Sequence, residues 1–283
     1  MRVDFHVLKQ SIKWIVYSLL LVNSALYLNW DWHSATHTMG SAEPLIKWLQ
    51  VYATSIDYAV WLVLIALFEL ETYVLSDAAF TPLVRRLMHG IRLLCYLFLI
   101  HTVYAYSANT YEVYFEVENA AVPDLCQVAD RSISFVSNQQ YTYVDAQNCA
   151  RLGTGQDYFL LDDGRVITDF VNLAREKWLA WLDLAEAVLW LFIMVLIELT
   201  IRLQDRGVSS GTAITTLNYL KFAAYTALVG IAVHWGLTDL LLNFWDEMLW
   251  IGGFAAIEMN MSDWREELEE ANGGRSHIAH TKT

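Results

Sequence analysis

Cysteine, proline and charged residues are all scarce in this sequence. It contains 3 cysteines and 3 prolines among 283 residues, and 17% of its residues are charged. Three cysteines are too few for a scaffold of several disulfides or a site of four thiolates. Soluble domains carry roughly 25% charged residues, so the low charge argues against two ordinary soluble domains. No metalloprotease, serine hydrolase, phosphate-loop or C-x-x-C motif occurs, so no catalytic residue and no enzyme class is indicated.

Long apolar runs account for the missing charge. Hydrophobic residues make up 56% of the chain, and the mean hydropathy is +0.32. A transmembrane helix needs about 20 mostly apolar residues, and six segments meet this length rule: 12–29, 55–75, 91–106, 183–203, 215–235 and 238–257. We therefore expect an all-α polytopic membrane bundle of about six transmembrane helices, with a small β-rich extracytoplasmic insert. The sixth segment is the most polar and has the interface as an alternative location.

These segments divide the chain into four parts. Residues 1–106 carry the first three spans, and 107–180 form the extracytoplasmic insert. Residues 181–258 carry spans four to six, and 259–283 form an acidic cytoplasmic tail. All three prolines lie outside the spans, so the helices are expected to be continuous, unlike the broken helices of many transporters.

Basic residues orient the spans, because Lys and Arg in short loops favour the cytoplasmic side. They concentrate on one set of flanks: Arg2, Lys9, Lys13, Arg85, Arg86, Arg92, Arg202, Arg206 and Lys221. Both termini are then cytoplasmic. The compact loops and the lack of targeting signals favour a bacterial inner membrane, and a eukaryotic endomembrane with the same topology is the alternative. The net charge of -13 disfavours a nucleic-acid partner; the expected partners are the lipid bilayer and either further copies of the chain or other subunits.

The insert at 107–180 has the patterns of β-strands. Residues 110–118 (TYEVYFEVE) alternate apolar and acidic side chains, as a half-buried strand does. Residues 132–136 and 140–144 are similar, and two apolar runs flank Asp163-Gly164, which favours a hairpin. Cys126 and Cys149 both lie here, on an oxidising side, and are predicted to form a disulfide that stabilises by roughly 3 kcal/mol.

Spans two and three resemble spans four and five at an offset of 129 residues. The matching residues follow the same order: Asp57 with Glu186, Trp61 with Trp190, Glu69 with Glu198, Arg92 with Lys221, and Tyr96 with Tyr225. This pattern suggests a parallel repeat of helix hairpins, with chance similarity of leucine-rich segments as the alternative.

Carboxylates inside the spans are the main candidates for function, since a charge at that depth must face water or a partner. Candidate members of an ion pathway are Glu69, Glu198, Asp239, Asn243, Asp246 and Glu247. The alternative role for two of them is structural, as interhelical pairs Glu69–Arg92 and Glu198–Lys221. Asp239, Asn243 and Asp246 have the spacing of one helical face.

Histidines suggest two weaker sites. His101 and His234 occupy corresponding arms of the two hairpins, and two facing imidazoles could hold a b-type haem. Asp31, His33 and His37 form a D-x-H-x3-H cluster that could bind a divalent metal if helical, although a solvated loop is the commoner setting.

Three functions follow from these residues. The leading one is an ion or proton channel or transporter that uses the intramembrane carboxylates. The second is a non-catalytic subunit of a membrane complex whose external domain binds a partner. The third is a haem or quinone redox protein. No cofactor other than this haem is predicted.

Overall fold

The fold was described from a computed structural model that covers residues 5–71, 81–153, 157–208 and 210–254. The molecule is mostly helical and contains one small mixed sheet. Residues 21–224 form one compact unit, and the described residues before 21 and after 224 belong to a second. The predicted tail at 259–283 and the last part of the sixth span lie outside the described residues.

Helices lie before and after the sheet in the described part of the chain. They are α1 (Phe5–Thr38), α2 (Leu45–Val51), α3 (Ala53–Glu69), α4 (Pro82–Phe115), α5 (Cys149–Leu152), α6 (Phe170–Asp205), α7 (Thr212–Leu237), and α8, which covers the described residues 241–254.

Two of the described helices, α6 and α7, are long and apolar enough to cross a membrane. A third crossing results if α2 and α3, which bend by 72° at their break, form one span. Helices α6 and α7 contain the predicted fourth and fifth spans, and α3 contains residues 55–69 of the predicted second span. Helices α1 and α4 are each 34 residues long, but polar and aromatic side chains reduce their hydropathy. The structure thus supports a helical membrane protein, and the six crossings stay a prediction.

Helix α4 shows where the strand prediction was wrong. The helix starts at Thr81, whose side chain accepts a hydrogen bond from Val84 N, and Pro82 fits its first turn. It continues to Phe115, through most of the alternating segment 110–118. Thr110, Val113 and Val117 have the spacing of one helical face, whereas Tyr111, Val113, Phe115 and Val117 have the spacing of one face of a strand. Packing of Val113 and Val117 against the sheet decides for the helix.

The sheet has five strands in the order β1-β4-β5-β2-β3. They are β1 (Glu118–Asn119), β2 (Ser134–Ser137), β3 (Gln140–Tyr143), β4 (Tyr158–Leu161) and β5 (Val166–Asp169). The predicted hairpin around Asp163-Gly164 is confirmed as the antiparallel pair of β4 and β5. Strands β2 and β3 form a second hairpin, and β2 pairs with β5 in parallel.

Each face of the sheet has its own apolar cluster. On the covered face, Phe135, Tyr158 and Ile167 pack under the segments 120–129 and 144–152 of the same domain. The predicted disulfide Cys126–Cys149 is confirmed, and it links these two covering segments. On the opposite, docked face, Val136, Leu161 and Val166 pack against Leu173 of α6 and against Val113 and Val117.

Helix α6 connects the sheet directly to the predicted fourth span. Asp169, the last residue of β5, caps the helix by accepting a hydrogen bond from Asn172 N at 2.8 Å. The helix then runs without a break for 36 residues. Residues 170–180 of the predicted insert are therefore the first part of α6.

In the second unit, helices α7 and α8 are joined by a tight turn. Asp239 has a φ of 63°, and Leu240 N donates to Trp235 O at 3.0 Å. A Cβ at Gly236 would lie 3.3 Å from the Phe244 ring, so the two helices approach closely there. The described helix starts at 241, and Asp239 therefore lies in the turn before it rather than on the predicted helical stripe.

Candidate functional site

A buried carboxylate on α1 caps the start of α3. Asp31 is 4% exposed, and its Oδ2 accepts a hydrogen bond from Ser55 N at 2.9 Å. The first turn of a helix has free N–H groups and a partial positive charge, and Tyr52, the N-cap residue of α3, makes no side-chain cap. Asp31 therefore supplies this cap from another helix. Burial raises the pKa of Asp31 to about 6, although hydrogen bonds from Ser55 and Thr54 oppose the increase.

Tyr106 of α4 lies at the centre of a group of acids. Its hydroxyl is 3.2 Å from Thr54 Oγ1 on α3. The carboxylates of Asp57, Asp183 and Asp31 all lie close enough to act electrostatically on this hydroxyl. Side chains from α1, α3, α4 and α6 thus meet at the helix ends that face the sheet.

The turn between β2 and β3 lies over these acids. Asn138 and Gln139 have φ angles of 56° and 60°, the left-handed conformations of a tight hairpin turn. Gln139 N donates to both carboxylate oxygens of Glu176, at 3.1 and 3.3 Å, and Gln139 Nε2 donates to Asp183 Oδ2 at 2.8 Å. The carboxylates of Glu176 and Asp183 therefore hold the turn on α6 by accepting its hydrogen bonds.

We call this arrangement the junction cluster. Its carboxylates come from three helices, and the α6 members are spaced so that they share one helical face. Asp183 interacts electrostatically with both Glu186 and Glu176. The cluster consists of Asp31, Asp57, Glu176, Asp183 and Glu186, together with Tyr106 and Gln139.

The pair of the predicted repeat that follows Asp57 and Glu186 is in contact. Trp61 and Trp190 lie four residues further along α3 and α6, and their rings meet edge-on with centroids 5.9 Å apart. Both tryptophans are buried. This contact supports corresponding positions for α3 and α6, while the repeat as a whole stays a prediction.

An ion-pair network attaches the β4–β5 hairpin to α2 and α4. Lys47 Nζ donates to Glu112 Oε2 at 2.8 Å and lies 3.9 Å from Asp162 Oδ1. Burial, with Glu112 and Asp163 nearby, raises the pKa of Asp162 to about 6, although Lys47 and Arg165 oppose the increase. The network therefore contains a carboxyl group that titrates near neutral pH.

His37 attaches the end of α1 to the docked face. Its Nδ1 lies 2.7 Å from Ser134 Oγ, and its ring packs against Tyr143 with centroids 4.2 Å apart. The hydroxyl of Tyr143 donates to Thr36 O at 2.9 Å. Burial and the neighbouring His33 lower the pKa of His37.

The predicted metal cluster on α1 is helical, as its spacing requires. The rings of His33 and His37 are 4.6 Å apart, but Asp31 and His37 use the polar atoms described above to bond Ser55 and Ser134. Within the described ranges, no three His, Cys, Asp or Glu side chains are grouped closely enough to hold a metal ion. The metal site stays a prediction.

The charged residues predicted at the cytoplasmic ends have identifiable neighbours. Arg92 Nη2 donates to Glu71 Oε2 at 2.6 Å, and Glu198 accepts from Arg202 Nε at 2.8 Å, one turn further along α6. Glu69 ends α3, and Lys221 lies in α7. Both make further interactions, so the pairings Glu69–Arg92 and Glu198–Lys221 stay predictions.

The polar residues of the sixth segment lie in the second unit. Glu247 and Asp246 are 2% and 9% exposed, while Asp239 in the turn is exposed. The Oδ1 atom of Asn243 is buried and has no hydrogen-bond partner among the described residues. Two carboxylates are thus buried within a predicted span.

The predicted haem ligands lie on different helices. His101 is on α4, and both of its ring nitrogens are buried without a hydrogen-bond partner in the described part of the chain. His234 is near the end of α7. Their use as haem ligands stays a prediction.

Several members of the junction cluster were absent from the sequence-based candidates. Tyr106, Gln139, Glu176 and Asp183 were missed, because the sequence-based candidates were carboxylates deep within the predicted spans. The spacing of Glu176, Asp183 and Glu186 along one face of α6 was a usable signal. Asp57 and Glu186 were identified from the sequence only as a matching pair of the predicted repeat.

Comparisons with known proteins identify no relative. No family model, no curated protein and no solved structure matches this chain.

Proposed function

We propose that this chain moves protons or small cations across a membrane, and that the junction cluster is the external entrance to its pathway. One observation carries the proposal. Asp31, Asp57 and Asp183 act electrostatically on Tyr106, and Glu176 and Glu186 act on Asp183. These five carboxylates lie beneath the β2–β3 turn and toward one end of α6, a helix that is long and apolar enough to span a bilayer.

The chemistry of the cluster suits cations. Carboxylates placed at the mouth of a pore raise the local concentration of cations, and rings of such acids occur in cation channels. The hydroxyls of Thr54 and Tyr106 and the amide of Gln139 add groups that can exchange hydrogen bonds with a passing proton carrier. An acid such as Asp31, with a pKa of about 6, exchanges protons readily near neutral pH.

The inner part of the pathway is assigned to acids within the predicted spans. In this proposal Glu69 and Glu198 carry the ion onward within their unit, and Asp239, Asn243, Asp246 and Glu247 are the candidate pathway residues of the sixth predicted span. Intramembrane acids normally mark ion pathways or proton relays. The proposal further includes six crossings, a bacterial inner membrane and cytoplasmic termini. Six crossings place the β-domain and the junction cluster on the external side.

Flux measurements on purified protein in liposomes test this function. Neutralising Asp183 or Asp57, as Asp183→Asn or Asp57→Asn, should reduce proton or potassium flux about tenfold, the factor that corresponds to ~1.4 kcal/mol of lost stabilisation of a passing cation. Asp246→Asn tests the inner part in the same assay. Asp157→Asn is the matched control, because Asp157 is an exposed acid of the external domain outside the cluster.

The outcomes separate the parts of the proposal. Flux no greater than in protein-free liposomes rejects ion movement altogether. Flux that is unchanged in both Asp57→Asn and Asp183→Asn but lost in Asp246→Asn rejects the junction cluster as the entrance. Equal losses in Asp157→Asn would indicate a general effect of surface charge.

A further inference from the structure

The covered face of the sheet has a gap in its apolar cover. A cavity of about 340 Å³ lies between the segments 120–122 and 128–133 and the sheet residues Leu160 and Ile167. This volume is at the lower end of the range of small-molecule pockets. The cavity lies in the external domain, away from the junction cluster on the other face.

Most of the side chains that line this cavity are apolar, while polar atoms make up nearly half of its exposed wall. Val128, Ile133 and Ile167 are buried members of the cluster on the covered face, and Val122 and Leu160 pack against that cluster. Leu160 and Ile167 are cross-strand partners in the sheet, so the floor of the cavity is fixed by paired backbone. The apolar side chains favour the alkyl part of a ligand, and the polar atoms of the wall favour a ligand that also carries a polar group.

One charged side chain lines the cavity. Arg131 is exposed, and no described residue forms an ion pair with its guanidinium group. Its backbone is held in place, because Arg131 N donates to Val128 O at 3.0 Å. A guanidinium group binds a carboxylate through two parallel hydrogen bonds, so the cavity combines apolar side chains with a receptor for one anionic group.

We propose that this cavity binds a small amphiphilic carboxylate, with the alkyl chain on Leu160 and Ile167 and the carboxylate on Arg131. This site is independent of the proposed ion movement. It assigns to the external domain the recognition of a hydrophobic acid.

Titration of the full-length protein in zwitterionic lipid nanodiscs with octanoate tests the site, with empty nanodiscs as the background. Octanoate should bind about tenfold more tightly than octan-1-ol, because hydrogen bonds to a charged group are stronger than neutral ones. Arg131→Gln should remove this preference, and Arg131→Lys should restore part of it. Arg151→Gln is the matched control, since Arg151 lies on α5 of the same domain and does not line the cavity.

A second variant tests the apolar part. Val122→Trp places a large ring in the cavity and should abolish binding of both octanoate and octan-1-ol, while circular dichroism and the intact disulfide report the fold. Binding no greater than to empty nanodiscs overturns the proposal. Octanoate binding that survives both Arg131→Gln and Val122→Trp places the ligand elsewhere and also overturns it.

Discussion

The two faces of the sheet are buried in different ways. The covered face is closed by apolar residues of its own domain, and a disulfide links the two covering segments. The docked face also has an apolar centre, but polar contacts surround it, including His37 with Ser134 and Lys47 with Asp162.

Because of this difference, the stability of the sheet and its attachment to the helices depend on different interactions. Apolar burial and a disulfide do not depend on protonation, so the covered face should keep its structure over a wide pH range. The attachment of the docked face depends on groups that titrate near neutral pH, such as Asp162. The sheet is therefore expected to hold its own fold more firmly than its position on the helices.

The largest expected effect comes from removing the disulfide. The double variant Cys126→Ser/Cys149→Ser should reduce the free energy of local opening in the covering segments by roughly 3 kcal/mol, because the unfolded segment regains the entropy of an open loop. Hydrogen exchange of amides in 125–152, followed by mass spectrometry, measures this change. Amides on the docked side, such as that of Gln139, serve as the internal control. An equal loss there would contradict the separation of the two faces.

A smaller effect is expected from the pH dependence of the β4–β5 attachment. The pKa of Asp162 is raised from 3.8 to about 6, so between these values the folded state binds more protons than the unfolded state, and stability falls as pH rises. The free energy of local opening, measured by hydrogen exchange at the amide of Arg165 and its neighbours, should fall by about 2 kcal/mol from pH 4 to pH 7. A change of one in pKa corresponds to ~1.4 kcal/mol.

The variant Asp162→Asn should lose this pH dependence, with exchange rates corrected for their intrinsic dependence on pH. The lowered pKa of His37 makes stability rise with pH below about pH 6.5. Because both Asp162→Asn and the wild type contain His37, its contribution cancels when the two are compared. A wild-type opening free energy that increases toward pH 7 would reverse the sign and reject this role for Asp162.

The smallest expected effect concerns a single hydrogen bond of the docked face. Tyr143→Phe removes the bond from the Tyr143 hydroxyl to Thr36 O and keeps the ring against His37. The opening free energy of β3 should fall by about 0.5–1 kcal/mol, the net value of one hydrogen bond. Thermal unfolding of the external domain, followed by tyrosine circular dichroism, measures it. Tyr111→Phe is the control, because Tyr111 is exposed on α4 and should show no change.

Local patterns in the sequence predicted those parts of the fold that depend on residues close together in the chain. The apolar length of α6 and α7, the hairpin at Asp163-Gly164 and the Cys126–Cys149 pair all follow from short stretches of chain. The strand prediction for 110–118 was wrong because this segment has apolar residues at the spacing of a helix as well as at the spacing of a strand. Only packing against the sheet, through Val113 and Val117, decides between them.

The candidate site was harder to predict, because its members are brought together by tertiary packing. Asp31 caps α3 from α1 across 24 residues of sequence, and Gln139 reaches Asp183 across 44. No local period encodes such contacts. Repeat pairs were more informative, since Trp61 and Trp190 do meet.

The unbroken course of α6 has a mechanical consequence. The helix begins at the last strand of the sheet and continues for 36 residues, which at 1.5 Å per residue is a rod about 54 Å long. With no proline or described kink to act as a hinge, a force that tilts the sheet is transmitted along this lever to its far end. Anything that pulls on the sheet thereby moves the opposite end of α6.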